Sequence, residues 1–136
     1  VRKDGDFTCI HATLHAPERF GYILTNLDAY FSFQLMDNPV CFVGHSHVPI
    51  NFFQSIPLSY NSDPVIRLDG AVKTLVNVGS VGQPRDRNPQ AAYAVFDPDA
   101  GTVAVERVPY DIEKASAKIL EAGLPPILAE RLFEGI

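Results

Sequence analysis

The chain holds four histidines, His11, His15, His45 and His47, in two short clusters that each follow an apolar run. Neutral imidazole is the commonest protein ligand for divalent transition metals, so their placement is the first chemical question the sequence raises. His45 and His47 stand two residues apart in Gly44-His45-Ser46-His47, and an extended backbone there sends both rings to one side. Gly44 carries no side chain beside them, which leaves room for the backbone to approach a ligand. His15 is set apart, because Pro17 keeps His11 and His15 from sharing a helix face; a lone surface histidine needs no ligand role. His11, His45 and His47 therefore form the candidate metal-binding set. Three imidazoles suit a single zinc site. They equally suit the nitrogen share of a two-metal site whose oxygen ligands lie elsewhere, and spacing leaves both open.

A second stretch, Asn77-Val78-Gly79-Ser80-Val81-Gly82-Gln83-Pro84-Arg85-Asp86-Arg87, follows an apolar run. Backbone N–H groups in a glycine-containing loop, a hydroxyl and a guanidinium are what a phosphate group needs. Ser80 and Arg85 are the candidate substrate contacts. A tight loop with a solvated Arg-Asp pair explains the same residues without a ligand.

The elements that must position these groups are legible in the pattern. Residues 7–12 read as a buried strand, and Pro17 suits the first turn of a helix. Phe20, Ile23, Leu24, Leu27, Tyr30, Phe31 and Leu35 recur at intervals of three and four, one apolar stripe along that helix. Residues 40–43 form a second buried strand. Strand, helix and strand predict a parallel βαβ unit, with His11 and His45 at the carboxyl ends of neighbouring strands, where α/β sheets place their chemistry. Beyond His47, short apolar runs over 50–60 and 65–78 are broken by Asn61-Ser62-Asp63-Pro64 and Asp69-Gly70, which predicts antiparallel strands joined by turns. Residues 91–97 and 102–108 flank a hairpin turn. Asp111 is placed to cap a helix that Gly123 stops, and Pro125-Pro126 opens a last one. The fold class is α/β: a parallel βαβ unit, then antiparallel strands and two C-terminal helices.

Composition narrows the function. Of 136 residues, 46% are hydrophobic and 20% charged, proportions that build a core rather than a disordered tail. The net charge of −5, with no basic run, disfavours generic binding to a nucleic-acid backbone or a membrane surface. No apolar stretch approaches the ~20 residues that span a bilayer, and no signal-peptide pattern is present. Cys9 and Cys41 lie inside apolar runs and read as free thiols in a reducing compartment, hence a cytoplasmic protein. The chain opens on Val1 and its one methionine is Met36, so further residues are expected before Val1.

His11 after an apolar strand, Val43-Gly44-His45-Ser46-His47-Val48-Pro49, and Val76-Asn77-Val78-Gly79-Ser80-Val81-Gly82-Gln83-Pro84-Arg85 occur in an order that resembles the second half of a calcineurin-like metallophosphoesterase. The ending Val108-Pro109-Tyr110-Asp111-Ile112-Glu113, with Ala122-Gly123-Leu124-Pro125 beyond it, resembles the small bacterial and archaeal phosphodiesterase-like branch. Ser46 stands where the family usually has threonine, and Val78 where many members have proline. The resemblance implies that the chain is the C-terminal part, residues 1–136, of a single four-layer αββα sandwich domain that hydrolyses phosphate esters at a binuclear metal centre. By motif, His11 and His45 would ligate one metal and His47 the other.

The family's Asp-x-His, Gly-Asp and Gly-Asn-His-Asp motifs have no counterpart here, since Gly5-Asp6 precedes the first strand and reads as a turn. No catalytic residue is therefore assigned within the chain. The complete protein is expected to hold two divalent ions, Mn, Fe, Zn or Ni, and this chain at most one. The resemblance implies a small phosphate ester as its ligand. Self-association or a complementary N-terminal half would cover the sheet edges and apolar face left unpaired. Two rival functions remain: a non-catalytic scaffold on the same sheet, and a mononuclear zinc hydrolase.

Overall fold

In the computed structural model, which describes residues 1–136, nine strands form a six-stranded and a three-stranded sheet. The first contains β1 (Arg2–Asp4), β2 (Phe7–Cys9), β3 (Val40–Val43), β4 (Ile50–Phe53), β5 (Ser59–Asn61) and β7 (Thr74–Asn77), in the order β1-β2-β3-β7-β4-β5. The second contains β6 (Val65–Arg67), β8 (Ala91–Asp97) and β9 (Thr102–Val108), in the order β6-β9-β8. Helices are α1 (Asn26–Phe33), α2 (Ile112–Glu121) and α3 (Ile127–Glu134). This is the mixed α/β class that the sequence predicts. No helix is long and apolar enough to cross a membrane.

The central strands are apolar on both sides because both sides are covered. Side chains alternate along β3, so Cys41 and Val43 meet Ile23, Ala29, Phe33 and Met36 beneath α1. Val40 turns the other way and packs with Val76, Ile66 and Val103 between the sheets, with Phe7, Phe42, Phe53 and Phe96 against them. Leu75 and Val76 of β7 divide between the two cores in the same manner.

β2 and β3 are parallel, as the βαβ reading requires, and Thr8 lies opposite Cys41. Three expectations change. First, β7 is not part of an antiparallel run: it pairs parallel with β3 and antiparallel with β4. The breaks at 61–64 and 69–70 carry the chain between sheets instead of turning hairpins, because β6 pairs with β9. Second, the start of the helix after Pro17 is replaced by a 3-10 turn over Pro17–Arg19 and an irregular stretch up to Thr25. Thr25 caps α1, accepting the Asp28 N–H while the Asp28 carboxylate accepts the Thr25 N–H, a reciprocal capping box.

Third, the expected stripe faces outward except at Ile23, which is buried in the core beneath α1. Leu24, Leu27, Tyr30, Phe31 and Leu35 are exposed, whereas Ala29, Ser32, Phe33 and Met36 are buried. Both sets obey the three-and-four spacing, so periodicity alone does not choose between them. The remaining elements follow expectation. β8 and β9 form the hairpin, Asp111 accepts the Lys114 N–H at the start of α2, and Gly123 and Gly135 adopt positive φ just after α2 and α3. A side chain at Gly135 has no room: its Cβ would stand 2.7 Å from the Asn88 carbonyl carbon.

Candidate functional site

Three parallel-facing strand ends build the site. Beyond β2 and β3 the ladder continues, with the Ile10 N–H donating to Phe42 O at 3.0 Å and the Gly44 N–H to His11 O at 3.0 Å. The Val78 N–H donates to Val43 O at 2.9 Å, which aligns the end of β7 with the same edge. His11 and His45 thus emerge side by side, with His11 Nε2 3.0 Å from His45 Nδ1. His11, His45 and His47 all line one cleft of about 950 Å³, together with Gly79, Ser80 and Tyr93. Its other walls are largely apolar, including Phe7, Phe42 and Phe96.

The loop after β3 is not extended. His45 and His47 have φ of 64° and 62°, the left-handed region, so their shared cleft comes from a twisted backbone and not from strand alternation. What holds that conformation is a residue the sequence reading left without a role. Asn77 is buried, and its amide Nδ2 donates to Gly44 O and to Ser46 Oγ, each at 2.8 Å. Its Oδ1 accepts the Gly79 N–H at 3.0 Å. One amide therefore locks the histidine loop and the glycine loop together, with both of its donor hydrogens and its oxygen engaged. The signal was present as an Asn ending an apolar run, one residue before the glycine loop. Gly79 is required there: it has φ 78°, and a Cβ would stand 2.8 Å from both Ala92 and Pro49. Gly44 is less constrained, since an added Cβ would meet only His11 O at an ordinary 3.7 Å.

His47 Nδ1 lies 2.7 Å from Gln83 O; a carbonyl only accepts, so Nδ1 carries the proton and Nε2 keeps its lone pair. Burial pushes the His47 pKa below its ordinary value, outweighing the hydrogen bond to Gln83, and the charges of Arg85, His45 and His11 lower it further. The ring is held neutral, the form that binds a cation.

Ser80 lines the cleft, and its Oγ accepts the N–H groups of Gly82 and Gln83 at 3.3 and 3.0 Å. Arg85 is not on the cleft wall. Its N–H donates to His47 O at 3.1 Å and its Nη2 to Gln83 Oε1 at 2.8 Å, so it braces the loop from behind. The alternative of a solvated Arg-Asp pair within the loop is not seen either: Asp86 pairs with Arg107. His15 sits away from the cleft, its ring 5.7 Å from that of Phe31. Cys41 is buried, which pushes its thiol up to about 12, and Cys9 is likewise a free thiol. No group of three or more His, Cys, Asp or Glu side chains is gathered closely enough to hold an ion.

A metallophosphoesterase from Sphaerobacter thermophilus superposes on 99% of this chain with a TM-score of 0.90 and 37% sequence identity, while the chain covers 57% of that structure. The chain carries the metallophosphoesterase fold, as a partial, C-terminal-like piece of it. The uncharacterized protein MJ0912 of Methanocaldococcus jannaschii is 40% identical over 127 residues, which are 92% of this chain and 50% of that protein. The chain spans about half the length of that curated relative. The hypothetical protein PH1004 of Pyrococcus horikoshii shares the fold at a TM-score of 0.68 and 18% identity over 96% of this chain and 46% of its own. No protein-family profile matches the sequence.

Proposed function

We propose that residues 1–136 are the C-terminal part of a single domain that hydrolyses small phosphate esters with divalent metal ions. The observation that carries this reading is the 3.0 Å approach of His11 Nε2 and His45 Nδ1 at the carboxyl ends of adjacent parallel strands. Metal–nitrogen bonds of about 2.0–2.1 Å put neighbouring ligand nitrogens roughly 3.0–3.4 Å apart, so the two rings fit a shared cation. His47 offers Nε2 from the same cleft. A divalent ion at such a site neutralises phosphoryl charge and lowers the pKa of water.

The chain's own residues contribute position and protonation state. Asn77 fixes the histidine loop, Gln83 O fixes the His47 tautomer, and Ser80 keeps an O–H free to donate to a phosphate oxygen at the cleft rim. Arg85 acts at one remove, through the loop and through its charge beside His47. In the overall reaction the oxygen of water bonds to phosphorus and the ester P–O bond breaks. One proton of the water ends on the departing alcohol. Neutral imidazoles without a carboxylate leave paired cations uncompensated, so residues 1–136 alone hold at most one ion and turn over little.

The test is hydrolysis of bis-p-nitrophenyl phosphate with added Mn²⁺, by residues 1–136 and by the intact gene product. Turnover is expected of the intact product only, with loss in His45→Asn, a substitution that tolerates the left-handed backbone. An inactive intact product overturns the hydrolase assignment and favours the scaffold. Robust turnover by residues 1–136 overturns the shared ligand set, and one tightly bound zinc with activity points to the mononuclear hydrolase.

A further inference from the structure

Each sheet has two edges, and three of the four are blunted. β1 is three residues long and reads Arg2-Lys3-Asp4, while β5 and β6 are equally short. Short or charged edge strands are how a sheet avoids taking on a further strand. β8 is the exception. It runs for seven residues, carries no charge, proline or bulge before Asp97, and has β9 on one side only.

The Ala92 N–H turns away from β9 and donates to Ser80 O at 2.9 Å. Backbone groups alternate along a strand, so Ala94 and Phe96 turn their N–H and C=O the same way, to a side where no strand stands. The N–H groups of Tyr93 and Val95 point to β9 instead. That free edge borders the cleft, which Ala94 and Phe96 line from one sheet and Phe7 and Phe42 from the other. The Phe96 ring centre is 5.9 Å from that of Phe7 and 5.6 Å from that of Phe42, so the sheets meet at these rings and the groove opens beside them. An unpaired edge next to an apolar groove offers backbone hydrogen bonds and side-chain room together, the combination that an added strand uses.

We propose that the free edge of β8 takes a β-strand from the polypeptide joined to Val1 in the intact gene product, with that strand's inward side chains filling the groove beside Phe7, Phe42 and Phe96. Two observations favour this occupant. Val1 and Arg2 lie on the wall of the same cleft, so chain joined to Val1 starts at the groove. The chain also spans about half the length of its curated relative, which leaves ample polypeptide to supply a strand. The proposal rests on the reading of residues 1–136 as part of a single domain, and it deepens that reading by separating two ends of the cleft. The phenylalanine end is core space for protein; the histidine end is what stays open to a phosphate ester.

The test is amide hydrogen exchange followed by NMR on the intact gene product. The N–H groups of Ala94 and Phe96 are expected to exchange within about tenfold of those of Tyr93 and Val95, which β9 holds. Cross-strand contacts between amide protons are expected from Ala94 or Phe96 to residues preceding Val1. Ala94→Pro deletes one edge donor and spares the ladder to β9, so it should speed exchange at Phe96 several-fold more than at Tyr93. Exchange at Ala94 and Phe96 roughly a hundredfold faster than at their neighbours overturns the proposal. Contacts to residues beyond Ile136, or an Ala94→Pro variant with Phe96 unchanged, overturn it too. Protection that vanishes on dilution assigns the edge to a second copy and overturns it as well. Catalysis reports separately: slow edge amides in an inactive product keep the strand and sink the hydrolase, whereas fast ones in an active product sink the strand alone.

Discussion

The two segments that flank the histidine pair are held in opposite ways. On one side, residues 44–47 are fixed from beneath by a buried amide that satisfies three partners across two loops. On the other, residues 16–22 are held by short-range contacts, the Arg19 N–H to Ala16 O at 3.0 Å and the Phe20 N–H to Pro17 O at 3.3 Å. The first segment is positioned by the core and exposes little apolar surface. The second presents its rings to solvent and continues into a helix whose outer face is equally apolar. A loop locked by the core supplies fixed geometry; the surface segment is left to its own short-range contacts.

The contrast breaks most sharply inside α1. Phe33 is fully buried, so Phe33→Ala is expected to cost about 3–5 kcal/mol. Phe31, two residues earlier and 48% exposed, should change stability by no more than about 0.5 kcal/mol as alanine. Urea titration of both variants decides it, and comparable losses would restore the outward stripe to the core. Asn77→Ala comes next. It strands the Gly79 N–H and removes the donor shared by Gly44 O and Ser46 Oγ, at about 2–3 kcal/mol in the same assay. A loss below about 1 kcal/mol would show that the loop is held by other means.

Thr25→Ala removes the α1 cap and should cost about 1 kcal/mol. Its partner Asp28 yields the smallest effect. Burial pushes the Asp28 carboxyl up, but hydrogen bonds from Thr25 and from the backbone N–H groups of Leu24 and Thr25, with the charge of His15, hold it below its ordinary value. A depressed carboxylate adds stability above its unfolded pKa and loses it as pH falls through the folded one. The difference between wild type and Thr25→Ala should therefore shrink in acid; a gap in urea midpoints that stayed constant from neutral pH downwards would overturn this.

How much of this was visible in the sequence depends on whether a feature is local. The strands over 40–43, 91–97 and 102–108, the Asp111 cap and the glycine stops are written in adjacent residues, and they form as expected. The parallel placement of β7 is not local: Thr74–Asn77 reads as apolar whichever neighbour it takes, and only the pairing of β6 with β9 frees it to join β3. The face of α1 is ambiguous because residues 24, 27, 31 and 35 and residues 29, 32, 33 and 36 carry the same period. The capping box at Thr25 and Asp28 was the signal that would have placed the helix start. In the site, the histidines were legible by type and position. Their twisted backbone and its dependence on Asn77 were not, since both rest on contacts more than thirty residues apart in the chain.

Gly135 gives the segment after α3 a mechanical hold on the loop at residues 87–88. Its carbonyl accepts the Arg87 N–H at 2.8 Å, and it lies flush against the backbone of Asn88. Any methyl group introduced there acts as a wedge, prising α3 from residues 87–88. Two positions upstream of that joint, Arg85 grips the carbonyl of His47. Displacing Gly135 would thus disturb the same short loop whose backbone holds the His47 carbonyl, almost ninety positions earlier in the chain.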